Sequence, residues 1–105
     1  MGDIEYPSEL IEAQRRCHRA WAAVEAHRRE VDAQRRAEAA DQPKDESRPW
    51  APRTLRLWTD TESARHEELM AEVHAAAEAR TAALEKSQLG SGADVVEGLH
   101  AAARA

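Results

Sequence analysis

LIEAQRRCHRAWAAVEAHRREV, residues 10–31, decides the fold. The stretch holds no glycine or proline, and Leu10, Cys17, Val24 and Val31 recur in it every seven positions. A seven-residue apolar repeat keeps one stripe of an α-helix turned to the same side, which is the pattern of a helix packed along another helix. Gln14, Trp21, Arg28 and Arg35 fall four residues after each repeat position, so the seam is half polar and weakens toward its C-terminal end. Working outward, Pro7 suits a first helical turn and Ser8 a cap. Glu9 and Glu12 sit where the helix dipole is positive, and nothing interrupts the pattern before Pro43. These features predict a helix over about 7–40, a rod of roughly 50 Å at 1.5 Å per residue.

The next stretch, DQPKDESRPWAPRT, carries Pro43, Pro49 and Pro52 among charged and small residues, which ends helix and favours extended or turn backbone. A connection over about 41–58 follows, with Trp50 expected to plug it against the rods. Thr59 and Glu62 have the spacing of a capping box, and they open a second helix over about 59–89 that Gly90 is placed to stop through a left-handed cap. Leu69, Met70, Val73, Ala76, Ala77 and Leu84 give this helix a face of mostly small residues. Beyond it, Ser91 and Asp94 suggest a cap for a short helix over about 92–104, in which Val95, Leu99 and Ala102 align and Gly98 lowers helix propensity. The fold expected for residues 1–105 is therefore one all-α domain, an antiparallel αα-hairpin with a short C-terminal helix.

The chain has 23 alanines, no phenylalanine, one tyrosine and three tryptophans, so bulky apolar side chains are scarce. A hairpin buries only one stripe of each helix, and cores this small usually gain support from oligomerisation, metal or disulfides. One cysteine forms no internal disulfide. Two hairpins joined as a homodimeric four-helix bundle meet the need, with Leu10, Cys17, Trp21, Val24, Val31, Trp58, Leu69, Met70, Val73 and Leu84 as the expected interface. Trp50, Val95 and Leu99 are the candidate contacts for a further protein partner. YPSELIEAQRRCHRAWAAVEAHRREV, followed by the proline–tryptophan linker and LRLWTDTESARHEELMAEVHAAAEAR, resembles small α-helical-hairpin proteins of high-GC actinobacterial genomes. That resemblance implies a helical hairpin over most of the chain and carries no activity with it.

EAQRR at 12–16 returns as DAQRR at 32–36. Twenty residues at about 100° each turn the second unit to nearly the opposite side, so the two do not form one basic stripe. From Pro7 to Asp41 seven arginines meet seven acids, with Glu12 and Arg16, Glu25 and Arg29, and Asp32 and Arg36 spaced as i,i+4 pairs. The arginines read as a solvated, salt-bridged surface, and a net charge of −5 argues against nucleic acid as the partner. From Thr59 onward nine acids meet four basic residues, so the second rod complements the first. The N-terminal residues read as no signal peptide, no apolar run reaches the roughly 20 residues of a membrane span, and one cysteine suits a reducing compartment, so a cytoplasmic setting is expected.

Catalytic chemistry finds little to work with. His66 and Glu67 begin the pattern H-E-x-x-H, but Met70 stands at the second ligand position. His66 and His74 are eight residues apart, too far for one ion on one helix, and only Glu97 and His100 have the Glu-x-x-His spacing of a di-iron bundle. Cys17 and His18 are adjacent and so point about 100° apart. The P-x-x-P in RPWAPR has the form of a polyproline ligand, but its residues equally suit a loop that breaks between helices. The expectation is a non-enzymatic helical scaffold or adaptor without metal or cofactor. The alternatives are a small regulator contacting nucleic acid through the arginines of the first helix and, more remotely, a metal-binding bundle.

Overall fold

The computed structural model describes residues 4–105. It is all-α: α1 (Ser8–Ala40), α2 (Asp60–Ser87) and α3 (Ala93–Arg104), with no strand among the described residues. The expected hairpin with a short C-terminal helix is the architecture found.

The helix ends show how local chemistry sets the boundaries. α1 begins after Pro7, whose carbonyl accepts from the N–H groups of Leu10 and Ile11 at 3.0 and 3.1 Å. Ser8 is already helical, so the cap falls one residue earlier than Ser8. α2 opens with the expected capping box: Thr59 Oγ1 accepts from the Glu62 N–H at 3.1 Å, and the Glu62 carboxylate accepts from the Thr59 N–H at 2.8 Å. This reciprocal pair satisfies two donors that a helix N-terminus leaves unpaired. At the other end the left-handed cap is Gln88, at φ 60°, and not Gly90, although Gly90 also has a positive φ of 81°. α3 starts from Gly92 without a side-chain cap, so Ser91 and Asp94 do not perform the capping expected of them.

α1 and α2 pack antiparallel. Cys17, Ala20, Val24, Val73 and Ala76 form the central cluster, with Leu69 and Met70 packed against it half-buried. All four positions of the heptad repeat, Leu10, Cys17, Val24 and Val31, are buried. Full burial of a Leu or Val side chain contributes about 1.5–3 kcal/mol, so a few such residues spread over a long hairpin make a thin core. One inter-rod ion pair appears in the middle, where Arg16 meets Glu72 at 2.6 Å. The expected i,i+4 pairs are not the ones formed. Glu12 takes Arg15 and Arg19, Glu25 takes Arg28, and Asp32 takes Arg35, because Arg16 is drawn across to α2 and the i,i+3 neighbours are in reach.

α3 docks on the first third of α1. Tyr6 Oη donates to the Val95 carbonyl at 2.8 Å, Gln14 approaches His100, and Arg15 donates to the carbonyls of Ala103 and Ala105, both at 3.2 Å. Contacts advance along both helices together, so α3 runs parallel to α1. It buries Val95, Leu99 and Ala103 at four-residue spacing, whereas Ala102 is only half-buried.

The connection does not pack as expected. Residues 41–50 are exposed throughout, and Trp50 is 78% exposed instead of lying against the rods. Trp58 fills that role, half-buried, with its ring edge-on to His27 and His66 at centroid distances of 5.5 and 5.6 Å. Arg35 Nε donates to the Arg56 carbonyl at 2.6 Å and Gln42 to that of Thr54 at 3.0 Å, which hold the end of the connection on α1. The resulting body measures 68 × 29 × 19 Å.

Candidate functional site

The residues named in advance separate into two groups. Leu10, Cys17, Val24, Val31 and Val73 are buried between helices of the one chain, and so are Val95 and Leu99, which α3 turns onto α1. Leu69, Met70, Leu84 and Trp58 are half-buried. Trp21 and Trp50 remain open, 47% and 78% exposed, and Leu55 and Leu57 add 40% and 86%.

Trp21 occupies a defined place. It lies seven residues after Gln14 and three after His18, so the three share one stripe of α1. Gln14 is 1% exposed beneath α3, and the C-terminal end of α3 reaches Arg15. The face of α1 that α3 covers therefore continues uncovered along Trp21 and Arg28, which is exposed and paired to its neighbour Glu25. At the far end of the rod, Trp50, Leu55 and Leu57 project from the connection. Arg56 lies among them, between Glu38 and Glu62. Hydrogen bonds from Arg56, then from the Thr59 N–H, hold the Glu62 carboxyl down at about 2.

Polar groups converge at one other place. Gln14 Nε2 stands 3.0 Å from His18 Nε2 and 3.4 Å from His100 Nδ1, and the two ring nitrogens are 3.1 Å apart. Gln14 is the buried polar residue of the described core, and its Oε1 has no hydrogen-bond partner. Burial, then the neighbouring charges of His100 and Arg104, push the His18 imidazole below its ordinary value, so it is neutral at pH 7. This cluster was not visible in the sequence, because His18 and His100 are 82 residues apart and only the docking of α3 brings them together. The second histidine pair, around Trp58, is structural in character: His27 Nε2 donates to the Glu62 carbonyl at 2.9 Å, and His66 Nδ1 is buried without a partner.

Among the described residues no set of three or more His, Cys, Asp or Glu side chains is placed to hold a metal ion. A hollow of about 570 Å³ lies within the connection and opens to solvent between Gln42 and Thr54, remote from the histidines. None of the helices is long and apolar enough to cross a membrane. Comparison with protein families, with curated proteins and with solved structures finds no match to this chain.

Proposed function

We propose that the protein is a non-enzymatic helical adaptor that works by helix–helix pairing, first with a second copy of itself and through that assembly with a protein partner. The observation that carries this reading is Trp21, 47% exposed at mid-rod on the face of α1 whose first part is already covered by a helix of the chain itself. A helix face that packs one helix along its first part offers the same stripe beyond it, and tryptophan is among the residue types most enriched at interface anchors. Trp50 and Leu57 supply a second exposed apolar contact at the far end.

Charge supports the same choice over nucleic acid. Arg15 is engaged with the end of α3, Arg16 with Glu72, and Arg35 with Asp32 and the Arg56 carbonyl, so three of the arginines of α1 already have partners in the fold. The net charge of −5 gives polyanions no long-range attraction. Light scattering across micromolar concentrations tests the reading: a mass of twice the chain supports it, and a folded monomer at every concentration rejects it.

A further inference from the structure

The triangle formed by Gln14, His18 and His100 does not close by hydrogen bonding alone. Each ring nitrogen offers one in-plane position, occupied either by a proton or by a lone pair. If both carry lone pairs, the Gln14 amide donates to both, but the two rings then face each other lone pair to lone pair at 3.1 Å. If one ring carries the proton, it donates to the other and opposes an N–H of the amide. Turning the amide to present Oε1 moves the conflict to another edge without removing it. Every assignment leaves one of the three contacts repulsive.

A cation at the centre satisfies all three at once, with two imidazole lone pairs and the amide oxygen directed at it. The edges of the triangle, 3.0, 3.1 and 3.4 Å, match the ~3.3 Å separation of ligand atoms around a tetrahedral ion with bonds of 2.0–2.1 Å. Oε1 makes no hydrogen bond where it stands, so exchanging the two amide atoms breaks none on that side. His18 and His100 are only half-buried, which leaves the fourth position open to water.

We propose that Gln14, His18 and His100 form a binding site for a divalent transition-metal ion of the imidazole-favouring class, such as Zn²⁺, which staples α3 to α1. The two imidazoles select this class, because the hard cations seek oxygen ligands alone, and the amide oxygen adds a third contact without selecting between them. Both rings coordinate as neutral tautomers, with their protons on His18 Nδ1 and His100 Nε2. Arg104 acts on His18 against the cation, and no carboxylate joins the site, so its affinity is that of a neutral three-ligand set.

The test uses the full chain with Co²⁺ as a visible probe and Zn²⁺ as the ion. One Co²⁺ per chain with tetrahedral absorption is expected, retained in Cys17→Ala and in His74→Ala. It should weaken in His18→Ala and in His100→Ala by more than the about 10–100-fold that outer partners of a metal ligand alone account for. Because those variants can also release α3, nitrogen-15 NMR of the unaltered protein gives an independent readout, in which Zn²⁺ must shift the ring nitrogens of His18 and His100 together. Shifts at His27, His66 or His74 instead, loss of binding in Cys17→Ala, or no ring shift at saturating Zn²⁺ would each overturn the site.

Discussion

Gly98 lies directly beneath the phenol of Tyr6, so close that a methyl group on Gly98 would overlap Tyr6 Oη. The glycine that lowers the propensity of α3 is what lets the chain ahead of α1 lock onto it. Alanine is a better helix former than glycine by about 1 kcal/mol, yet Gly98→Ala is expected to destabilise the protein by about 1–3 kcal/mol through overpacking. Urea unfolding measures this. A Tyr6→Leu change should recover part of the loss in the double variant, and strict additivity would show that the two residues do not compete for space.

Acidification should loosen α3. The folded-state pKa of His18 is depressed by burial and by the charges of His100 and Arg104, so the folded protein holds its proton less tightly than the unfolded chain does. The contribution of His18 is complete above the unfolded value of about 6.5 and is lost as the pH falls through the lower folded value. The urea midpoint should drop between pH 7.5 and 5.5, and His18→Gln should flatten that drop.

A second acid response belongs to the far end of the rod. Glu62 titrates at about 2 in the fold against 4.5 as its ordinary value, held down by Arg56 and the Thr59 N–H. Its contribution is present above about pH 4.5 and lost as pH falls from there toward 2. Glu62→Gln should reduce the slope in that window, leaving the part that Glu72 contributes through Arg16, and added salt should weaken the Arg56 part.

Trp21 should matter for association and not for folding. Trp21→Lys replaces an exposed aromatic, so helix content and the urea midpoint should stay close to the original, within about 0.5 kcal/mol. The mass seen by light scattering should fall to that of one chain. An unchanged mass would place the self-association surface elsewhere.

Cys17 is 6% exposed between α1 and α2, so the thiol is shielded from reagents and from other thiols. Alkylation by iodoacetamide should be slow in the folded protein and fast in urea, and a disulfide-linked dimer should not form under native oxidation. Rapid native labelling would mean that the hairpin opens around Cys17.

The seam of α1 was legible because Leu10, Cys17, Val24 and Val31 repeat within one helix, where sequence spacing is spatial spacing. Thr59 and Glu62 were legible for the same reason, as a cap is local. Gln14, His18 and His100 were not, since a parallel docking of α3 has no local signature and Gly98 reads as a defect until Tyr6 is placed on it. The arginine pairs were misassigned because i,i+4 spacing offers a partner without excluding a better one, and Arg16 finds Glu72 across the hairpin. Trp50 and Trp58 exchange roles. The capping box fixes the chain direction just after Trp58 and turns that ring inward, while three prolines keep Trp50 in an outward loop.

The parallel course of α3 along α1 also fixes where the chain can be attached to other things. Tyr6 and Ala105 both come to the same end of the rod, and Trp50 sits at the opposite end, across the length of α1. A tag or neighbouring domain tethered ahead of Tyr6 would be held about 50 Å along α1 from the loop, and one tethered after Ala105, at the level of Arg15, about 38 Å, at 1.5 Å of rise per helical residue. A fluorophore pair split between terminus and loop would read either distance.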